Sequence, residues 1–555
     1  MERRFELTRR GFLTVMLGGL ISSTLPVPIR AQRSFNLQVD ASQVIGACDP
    51  TLWANIGYDP MYVLTLRPES QPAWGLIEQS RVFRYIRCHN AFSDGFPGEQ
   101  PDEIWGCRVY SETPDGQPRY HFQYLDRVLD RWIKAGLKPI LETDFMPDAL
   151  AEGPIVRNYS GGAINTPRDY NKWRDLVYET VKHCLERYGA EEVRSWYFEI
   201  WNEPDLKIYF IDGLEPGERF TPEKVQRLNK MYDYFVAGAT AADAQIKVGG
   251  PGLAWNPDYF RAFLSHCVNG TNYVTGRRGT RIDFISWHAY GTVDQIQRKN
   301  REMKRIIMRE FPELADRELQ QNEWGQPLGE DENRPSVYTQ YEAAFLCKSI
   351  DGLFSDESAQ VAKIVRWGDP TGHIPGQGWG WRPLTIFLKN FNNAREAVKL
   401  SVFNAYELLA KLGPERVQLT GTRFGDLVHG FATRKADGSV QIVAYHFDER
   451  NQQSLGAPVP VSLAIQGLQG VSEMTMTHYR IDQEHSNAYA AWVALGSPRN
   501  PTPAQIQQIK AKSELETLGP PTTLAVEGGR VNLSFELPVN AVSLIVLEPR
   551  SANSL

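Results

Sequence analysis

Short apolar runs alternate with helix-spaced apolar positions from about residue 52 to residue 390. The run 81–87 is typical of a strand, and Leu125, Val128, Leu129 and Trp132 then recur at helical spacing before Gly136. Further strand-like runs occupy residues 139–144, 196–202, 246–249, 282–287, 318–323 and 364–367. This alternation predicts a parallel sheet, and eight such units fit an α/β fold of the closed (β/α)8 TIM barrel type better than an open sheet.

Two threonine–proline pairs mark predicted helix starts within this region. Thr166-Pro167 and Thr221-Pro222 each place an N-cap residue before a proline at the first helical position. Each pair is followed by apolar residues at helical spacing. We therefore expect one helix to begin at each pair.

The pattern changes after about residue 415, where short alternating runs separated by turn residues replace helical spacing. Runs 428–433 and 440–447 flank Asp437-Gly438, which predicts a hairpin. Runs 459–465, 474–481, 523–526, 531–535 and 542–546 continue the series. Several strands at this spacing predict an accessory C-terminal β-sandwich. The expected division is a segment 33–51 that joins this sandwich, a barrel over 52–400 and the sandwich over 401–555.

Residues 1–32 have the features of an export signal. Arg9-Arg10 precedes an apolar stretch from Phe12 to Leu25, which is short and contains Gly18 and Gly19. The arginine pair followed by x-Phe-Leu resembles a bacterial twin-arginine signal. We expect an exported protein, periplasmic or extracellular. No later segment has the roughly eighteen uninterrupted apolar residues of a membrane span, so no span is expected in the mature chain.

Composition narrows the function classes. The 555 residues carry a net charge of −6, which argues against a nucleic-acid partner. The 14 Trp, 23 Tyr and 25 Phe disfavour disorder and suit either a large core or stacking against sugar rings. The six cysteines are widely spaced and match neither a zinc site nor a disulfide scaffold. We expect mostly buried thiols, with Cys88 and Cys107 as one pair that could oxidise after export.

Candidate chemistry lies at the carboxyl ends of the predicted strands, where parallel barrels place their functional groups. These ends carry His89, Asn202-Glu203, His288, Tyr290 and Glu323. Glu203 and Glu323 end the fourth and seventh strands, across the barrel mouth from each other. Two such carboxylates, one protonated and one ionised, are what glycoside hydrolysis needs. Asp144 fits either substrate binding or a salt bridge or cap, and Glu142 and Glu199 are expected to be structural groups inside the barrel.

Other chemistries find less support in the chain. His89 and His288 lack the spacing of metal-ligand motifs, so no metal is expected. There is no G-x-S-x-G nucleophile motif, and the glycines at 249–252 lack the lysine of a phosphate-binding loop. No cofactor is expected. Trp324 and Trp367 complete the set of candidate substrate-binding residues with His89, Asn202, His288 and Tyr290.

Several motifs together resemble glycoside hydrolase family 39. Phe198-Glu-Ile-Trp-Asn-Glu-Pro-Asp-Leu206 is similar to the acid/base motif of that family, and Trp-Asn-Glu-Pro alone marks the larger clan of retaining barrel glycosidases. Asp283-Phe-Ile-Ser-Trp-His-Ala-Tyr-Gly291 resembles the family's sixth strand. The segments 124–150 and 485–498 are similar to its third-strand region and to a C-terminal signature. The resemblance covers most of the chain beyond the export segment.

This resemblance implies a (β/α)8 barrel with a β-sandwich and hydrolysis with retention through a glycosyl-enzyme. It assigns the acid/base role to Glu203, the nucleophile role to Glu323 and substrate binding to His89, Asn202, His288 and Tyr290. The expected partner is an oligosaccharide or polysaccharide, either a β-xyloside-like substrate or a bacterial exopolysaccharide. Asn322-Glu323-Trp324 departs from the Thr-Glu-Trp or Thr-Glu-Phe of family β-xylosidases. A sugar-binding protein on a barrel scaffold and a transglycosylase using the same glutamates remain alternatives, and the oligomeric state stays open.

Overall fold

Eight parallel strands close into a barrel in the structure, a computed structural model that describes residues 34–98, 104–328, 335–373, 381–389 and 395–550. The expected export segment lies outside the described residues. Each barrel strand pairs with its neighbours in chain order, and the eighth closes on the first. The barrel strands are β1 (Asn55–Tyr58), β2 (Tyr85–Cys88), β3 (Lys138–Glu142), β4 (Tyr197–Glu199), β5 (Lys247–Leu253), β6 (Phe284–Tyr290), β7 (Glu318–Gly325) and β8 (Lys363–Trp367). The predicted barrel is confirmed.

Helices surround the barrel and bury apolar residues against it. In the helix Gln123–Lys134 the buried residues are Leu125, Val128, Leu129 and Trp132, at the predicted spacing. Gly136 follows with a φ of 84°, a conformation that favours glycine. The helices of this layer are Met61–Leu66, Gln71–Ser80, Gln123–Lys134, Tyr170–Tyr188, Ala190–Arg194, Glu223–Ala242, Pro257–Asn269, Val293–Glu310, Gln340–Ser355 and Ser401–Leu409.

One of the two predicted helix starts is displaced. The helix after β3 begins at Tyr170, and its cap is Asp169, whose side chain accepts from the N–H groups of Asn171 and Lys172. The prediction from Thr166-Pro167 is wrong because Thr166 instead donates its hydroxyl to Glu152. The helix Glu223–Ala242 begins directly after Pro222, close to the predicted start.

The C-terminal strands form one curled, mainly antiparallel sheet. Its order is Glu516–Thr517, Glu473–Ile481, Val542–Pro549, Val440–His446, Val428–Arg434, Glu415–Thr420, Phe35–Ala47, Val459–Gln466 and Val531–Leu537, with Thr522–Ala525 paired to Glu473–Ile481. Buried residues from both ends of this order, such as Met474 and Val531, share one apolar core, so the sheet curls over itself. Phe35–Ala47 runs parallel to Val459–Gln466 and antiparallel to Glu415–Thr420.

The barrel, its helices and part of the C-terminal sheet share one large apolar core. The helix Ser401–Leu409 is buried on nearly all sides within this shared core, where Phe403 packs on Phe83. Two later helices, Ala488–Ala494 and Pro503–Ala511, also contribute buried residues to that core. Two small sheets complete the fold: Tyr110–Glu112 with Pro118–Tyr120, and Gly372–His373 with Thr385–Lys389 and Arg395–Lys399.

All six cysteines are buried thiols, and the structure forms no Cys88–Cys107 disulfide. Burial raises the pKa of the Cys88 thiol well above its usual value. Among the described residues, no helix combines the length and the apolar content that crossing a bilayer requires.

Candidate active site

Glu203 enters the barrel mouth from a tight turn after β4. Its backbone has a φ of 42°, in the left-handed region that few non-glycine residues adopt. Its N–H donates to the carbonyl of Gly252 at 2.9 Å, which ties the turn to the end of β5. This turn directs the carboxyl group into the cavity described below.

Glu323 reaches the same place from β7 through an irregularity in strand pairing. The register of β7 against β6 shifts between Gln321 and Glu323. As a result, the amide of Asn322 donates to Glu199 inside the barrel while Glu323 also faces the interior. The two predicted carboxylates are therefore brought together by two different backbone features. These are the left-handed turn at Glu203 and the register shift before Glu323.

The Glu203 and Glu323 carboxyl groups converge around His288. One oxygen of each and a ring nitrogen of His288 all lie within 4.8 Å of one another. Nδ1 of His288 is 2.7 Å from Oε1 of Glu203 and 3.4 Å from Oε2 of Glu323. In glycosidases that retain configuration the two carboxyl groups are about 5–5.5 Å apart, so this arrangement suits direct attack on a sugar carbon.

Arg87 occupies the barrel interior beneath this pair. It donates to Glu199 at 2.7 Å, to Glu323 at 2.8 Å and also to Glu142, and all four side chains are buried. Burial alone would lower the pKa of Arg87, but the three carboxylates outweigh it and raise the pKa. Glu142 and Glu199 thus hold a cation against Glu323.

His89 supplies a second positive group. Its Nδ1 is 2.8 Å from Glu142 and its Nε2 is 3.1 Å from Oε1 of Glu323. Burial opposes the charge, but Glu142 and Glu323 raise the pKa of His89 well above its usual value. His89 is therefore a cation at neutral pH, aimed at one oxygen of Glu323.

The two candidate carboxyl groups have opposite acidities. Burial, together with the charges of Glu323 and Asp205, raises the pKa of Glu203 well above its usual value. Burial has the same tendency at Glu323, but the positive charges of His89 and of the Arg87 guanidinium, both in contact with its carboxylate, lower its pKa. Glu203 is thus held protonated and Glu323 ionised, as an acid and a nucleophile must be.

Three further predicted residues surround the pair. The Tyr290 hydroxyl donates to Oε2 of Glu323 at 2.7 Å. Burial lowers the pKa of His288 well below its usual value, so its ring is neutral. Oδ1 of Asn202 accepts from Arg87 at 3.2 Å, while its Nδ2 is buried with no hydrogen-bond partner in the described chain. Neither Asn202 nor His288 is among the residues that line the cavity described below.

The carboxyl pair opens into a cavity of about 390 Å³ at the carboxyl ends of the strands. Six of its lining residues are tyrosine or tryptophan, which offer flat faces to a sugar ring. The lining is Asp59, Pro60, His89, Trp105, Tyr159, Glu203, Tyr209, Tyr290, Glu323, Leu328, Trp367, Asp369 and Trp381.

Of the two tryptophans predicted to bind substrate, one lines the cavity and the other does not. Trp367 lines the cavity, and its ring lies 4.5 Å from the ring of His89. Trp324 does not reach the cavity, which corrects its expected role, because neighbouring residues of a strand face opposite sides and Glu323 faces inward. The Trp324 ring instead stacks on Phe345 of the surrounding helix Gln340–Ser355.

Several site residues were not predicted from the sequence. The sequence predicted only a strand position for Arg87. An arginine at the end of a buried strand is nevertheless a signal of a functional side chain that the sequence offers. Asp59 and Asp369 follow β1 and β8 and line the cavity. Tyr159 and Tyr209 come from loops that carry no periodic signal. Asp144 does not line the cavity, and its Oδ1 accepts from the N–H of Asn90 at 2.9 Å.

Two groups of side chains have metal-ligand spacing: His89 with Glu142 and Asp144, and Glu203 with His288 and Glu323. A metal ligand must be deprotonated. Neighbouring carboxylates keep His89 protonated, and burial keeps Glu203 protonated. A metal ion at either group would therefore have to displace a proton from its ligands.

Two carboxyl groups that face one barrel cavity are the pair that an O-glycosyl hydrolase requires. The model of glycosyl hydrolases family 39 matches residues 37–525, and the chain belongs to that family. It is 27% identical over 501 residues to a β-xylosidase of Geobacillus stearothermophilus, covering 87% of this chain and 90% of that protein. It is 25% identical over 461 residues to the α-L-iduronidase of Mus musculus, covering 78% of this chain and 69% of that protein.

Solved structures show the same fold. A bacterial orthologue of human α-L-iduronidase matches with a TM-score of 0.74 at 24% identity, over 94% of this chain and 84% of that chain. A monomeric β-xylosidase from Caulobacter crescentus matches with a TM-score of 0.73 at 23% identity, over 93% of this chain and all of that chain (100%). The family match over residues 37–525, rather than the shared fold, makes the protein a glycosidase of family 39.

Proposed function

We propose that the chain cleaves O-glycosidic bonds with retention of configuration, using Glu203 as acid/base and Glu323 as nucleophile. The observation that carries this proposal is the close approach of two carboxyl groups with opposite acidities. Retaining hydrolysis requires this combination of distance and protonation.

In the first step, Glu323 attacks the anomeric carbon while Glu203 gives its proton to the departing oxygen. Arg87, His89 and Tyr290 all contact the oxygens of Glu323. They keep this carboxylate ionised and oriented toward the sugar. The products of the step are the released alcohol and a glycosyl ester of Glu323.

In the second step, Glu203 is ionised and removes a proton from water as the water attacks the anomeric carbon. The ester bond to Glu323 breaks and Glu203 recovers its proton, so the cycle closes. A sugar acceptor in place of water would give transglycosylation with the same residues.

We further propose a β-xyloside-like glycoside or a bacterial exopolysaccharide or oligosaccharide as the substrate. The β-xylosidase relative and the aromatic lining of the cavity support this range. A panel of aryl glycosides and oligosaccharides, read by the anomer of the first product, tests it.

A 2-fluoro glycoside with a good leaving group tests the catalytic assignment directly. We expect a stable adduct on Glu323, located by peptide mass spectrometry, and no adduct in Glu323→Gln. Binding of sugar without adduct or turnover would instead favour a non-catalytic carbohydrate-binding protein.

Export of the chain through its first 32 residues also remains a proposal, supported by Arg9-Arg10 and the apolar stretch after them. We expect periplasmic or extracellular protein from the native chain and retention in the cytoplasm after Arg9→Lys with Arg10→Lys. Unchanged export of that double variant would contradict the twin-arginine assignment.

A further inference from the structure

Asp59 is a cavity-lining carboxyl group that the proposed reaction does not use. It follows β1 and lies on the far side of the barrel from Glu203, which follows β4. The Glu203 carboxyl faces the departing oxygen in the proposed reaction. The body of the sugar that becomes attached to Glu323 therefore extends toward β8 and β1, where Asp59 is.

Two hydrogen-bond donors hold the carboxyl group of Asp59 in place, and neither of them carries a charge that would neutralise it. Nδ2 of Asn90 donates to its Oδ1 at 2.8 Å, and the Tyr159 hydroxyl donates to its Oδ2 at 3.3 Å. Both donors are neutral, and Asp59 forms no ion pair within the described chain. A carboxylate has about four acceptor positions, so capacity remains for a ligand.

Asn90 is itself fixed, which gives Asp59 a defined position. Its backbone φ of 81° is left-handed, and its N–H donates to Asp144 at 2.9 Å. Its Nδ2 also reaches the Ser160 hydroxyl at 3.2 Å. The carboxyl group is thus oriented before any ligand binds.

Leaving such a carboxyl group in a cavity without a cation is costly to the fold. Burial raises the pKa of Asp59 to about 6, with the His89 charge acting in the opposite direction. A carboxyl group with a raised pKa that lines a cleft is a candidate for a functional contact. Hydroxyl groups of a sugar are the donors that would meet it.

We propose that Asp59 determines specificity for the glycone, the sugar transferred to Glu323, by accepting a hydrogen bond from a hydroxyl other than that on C2. The C2 hydroxyl is set apart because it is adjacent to the reacting carbon. This inference rests on the proposed function and adds a recognition contact to it.

A cycle of variants and deoxy substrates tests the contact. The aryl glycoside that the wild type hydrolyses fastest is compared with its monodeoxy analogues lacking one hydroxyl each beyond C2. For one analogue we expect kcat/KM of the wild type to fall about 10- to 100-fold, as for loss of a hydrogen bond to a charged group. In Asp59→Ala that same analogue and the parent should be hydrolysed within about 3-fold of each other.

Two further variants separate recognition from folding. Asp59→Asn keeps the side-chain shape and should retain part of the discrimination between parent and analogue. Asp94→Asn is the matched control, because Asp94 is a largely buried aspartate outside the cavity that accepts from the N–H of Asp148 at 2.7 Å. It should discriminate among the analogues as the wild type does.

The outcomes distinguish the two proposals. If Asp59→Ala and Asp59→Asn discriminate against every deoxy analogue as strongly as the wild type, Asp59 makes no glycone contact and the inference is overturned, while the proposed function stands. If no glycoside is hydrolysed and no adduct forms on Glu323, the proposed function fails and this inference fails with it.

Discussion

Nη1 of Arg87 donates to Oε1 of Glu323 at 2.8 Å, so the proposed nucleophile is part of the ion network inside the barrel. The same guanidinium contacts Glu142 and Glu199. One arginine therefore supports both the packing of the barrel interior and the ionised state of Glu323.

Replacing this arginine should damage stability as well as activity. Arg87→Met leaves three buried carboxyl groups without their shared cation, and we expect a loss of about 3–5 kcal/mol in the free energy of unfolding. Chemical denaturation measures this loss. The difference from the wild type should shrink as the pH falls, because the stranded carboxyl groups then become protonated and neutral in the folded variant.

Arg301→Met is the control for this experiment. Arg301 pairs with Asp356 at 2.7 Å on the surface, and loss of such a pair costs less than about 1 kcal/mol. Equal losses in the two variants would show that the buried network has no special role in stability.

Glu203→Gln should slow the departure of poor leaving groups most, because such groups need a proton from Glu203 to leave. For basic leaving groups we expect kcat/KM to fall about 10²- to 10⁴-fold, and for acidic nitrophenols much less. A plot of log kcat/KM against the pKa of the leaving group should steepen in the variant. Equal slowing across the series would remove Glu203 from the acid role.

The pH profile should respond to His89. Glu323 must be ionised to attack, and the charge of His89 contributes to its low pKa. In His89→Asn the pKa of Glu323 should rise, so the acidic limb of the kcat/KM profile moves to higher pH by about 1 unit. The wild-type profile should be bell-shaped, with its basic limb set by the raised pKa of Glu203. If the acidic limb does not move, Arg87 and Tyr290 are sufficient to keep the pKa of Glu323 low without His89.

The sequence predicted the barrel because its elements follow local rules. Leu125, Val128 and Leu129 have a helical period, and the run 196–201 before Glu203 is apolar except for Glu199. Parallel strands present their carboxyl ends on one face, so the two glutamates were expected to converge. The predicted start of the helix after β3 was wrong because Asp169, and not Thr166, is its N-cap. The choice between two nearby capping residues depends on a single side chain, which the apolar spacing does not reveal.

The network around the two glutamates depends on long-range geometry that no local pattern encodes. Arg87 is separated by 236 positions from Glu323, its hydrogen-bond partner. The irregular pairing of β7, which turns Glu323 inward and Trp324 outward, also depends on the neighbouring strand. Residues such as Asp59 and Tyr159 belong to loops, where only the assembled fold shows which side chains share a cavity.

Gly57 of β1 leaves room for the Trp367 side chain, so a substitution at Gly57 tests whether the position of that ring matters for substrate binding. A Cβ atom at Gly57 would overlap the Trp367 ring, which lines the cavity and packs against His89. In Gly57→Ala we expect the ring to shift and kcat/KM to fall about 10- to 100-fold. Gly75→Ala is the matched control, since a Cβ there meets nothing within 4 Å in the helix Gln71–Ser80. That variant should keep its kinetics and gain up to about 1 kcal/mol in the free energy of unfolding. Wild-type kcat and KM in Gly57→Ala would show that the position of the Trp367 ring does not matter for substrate binding.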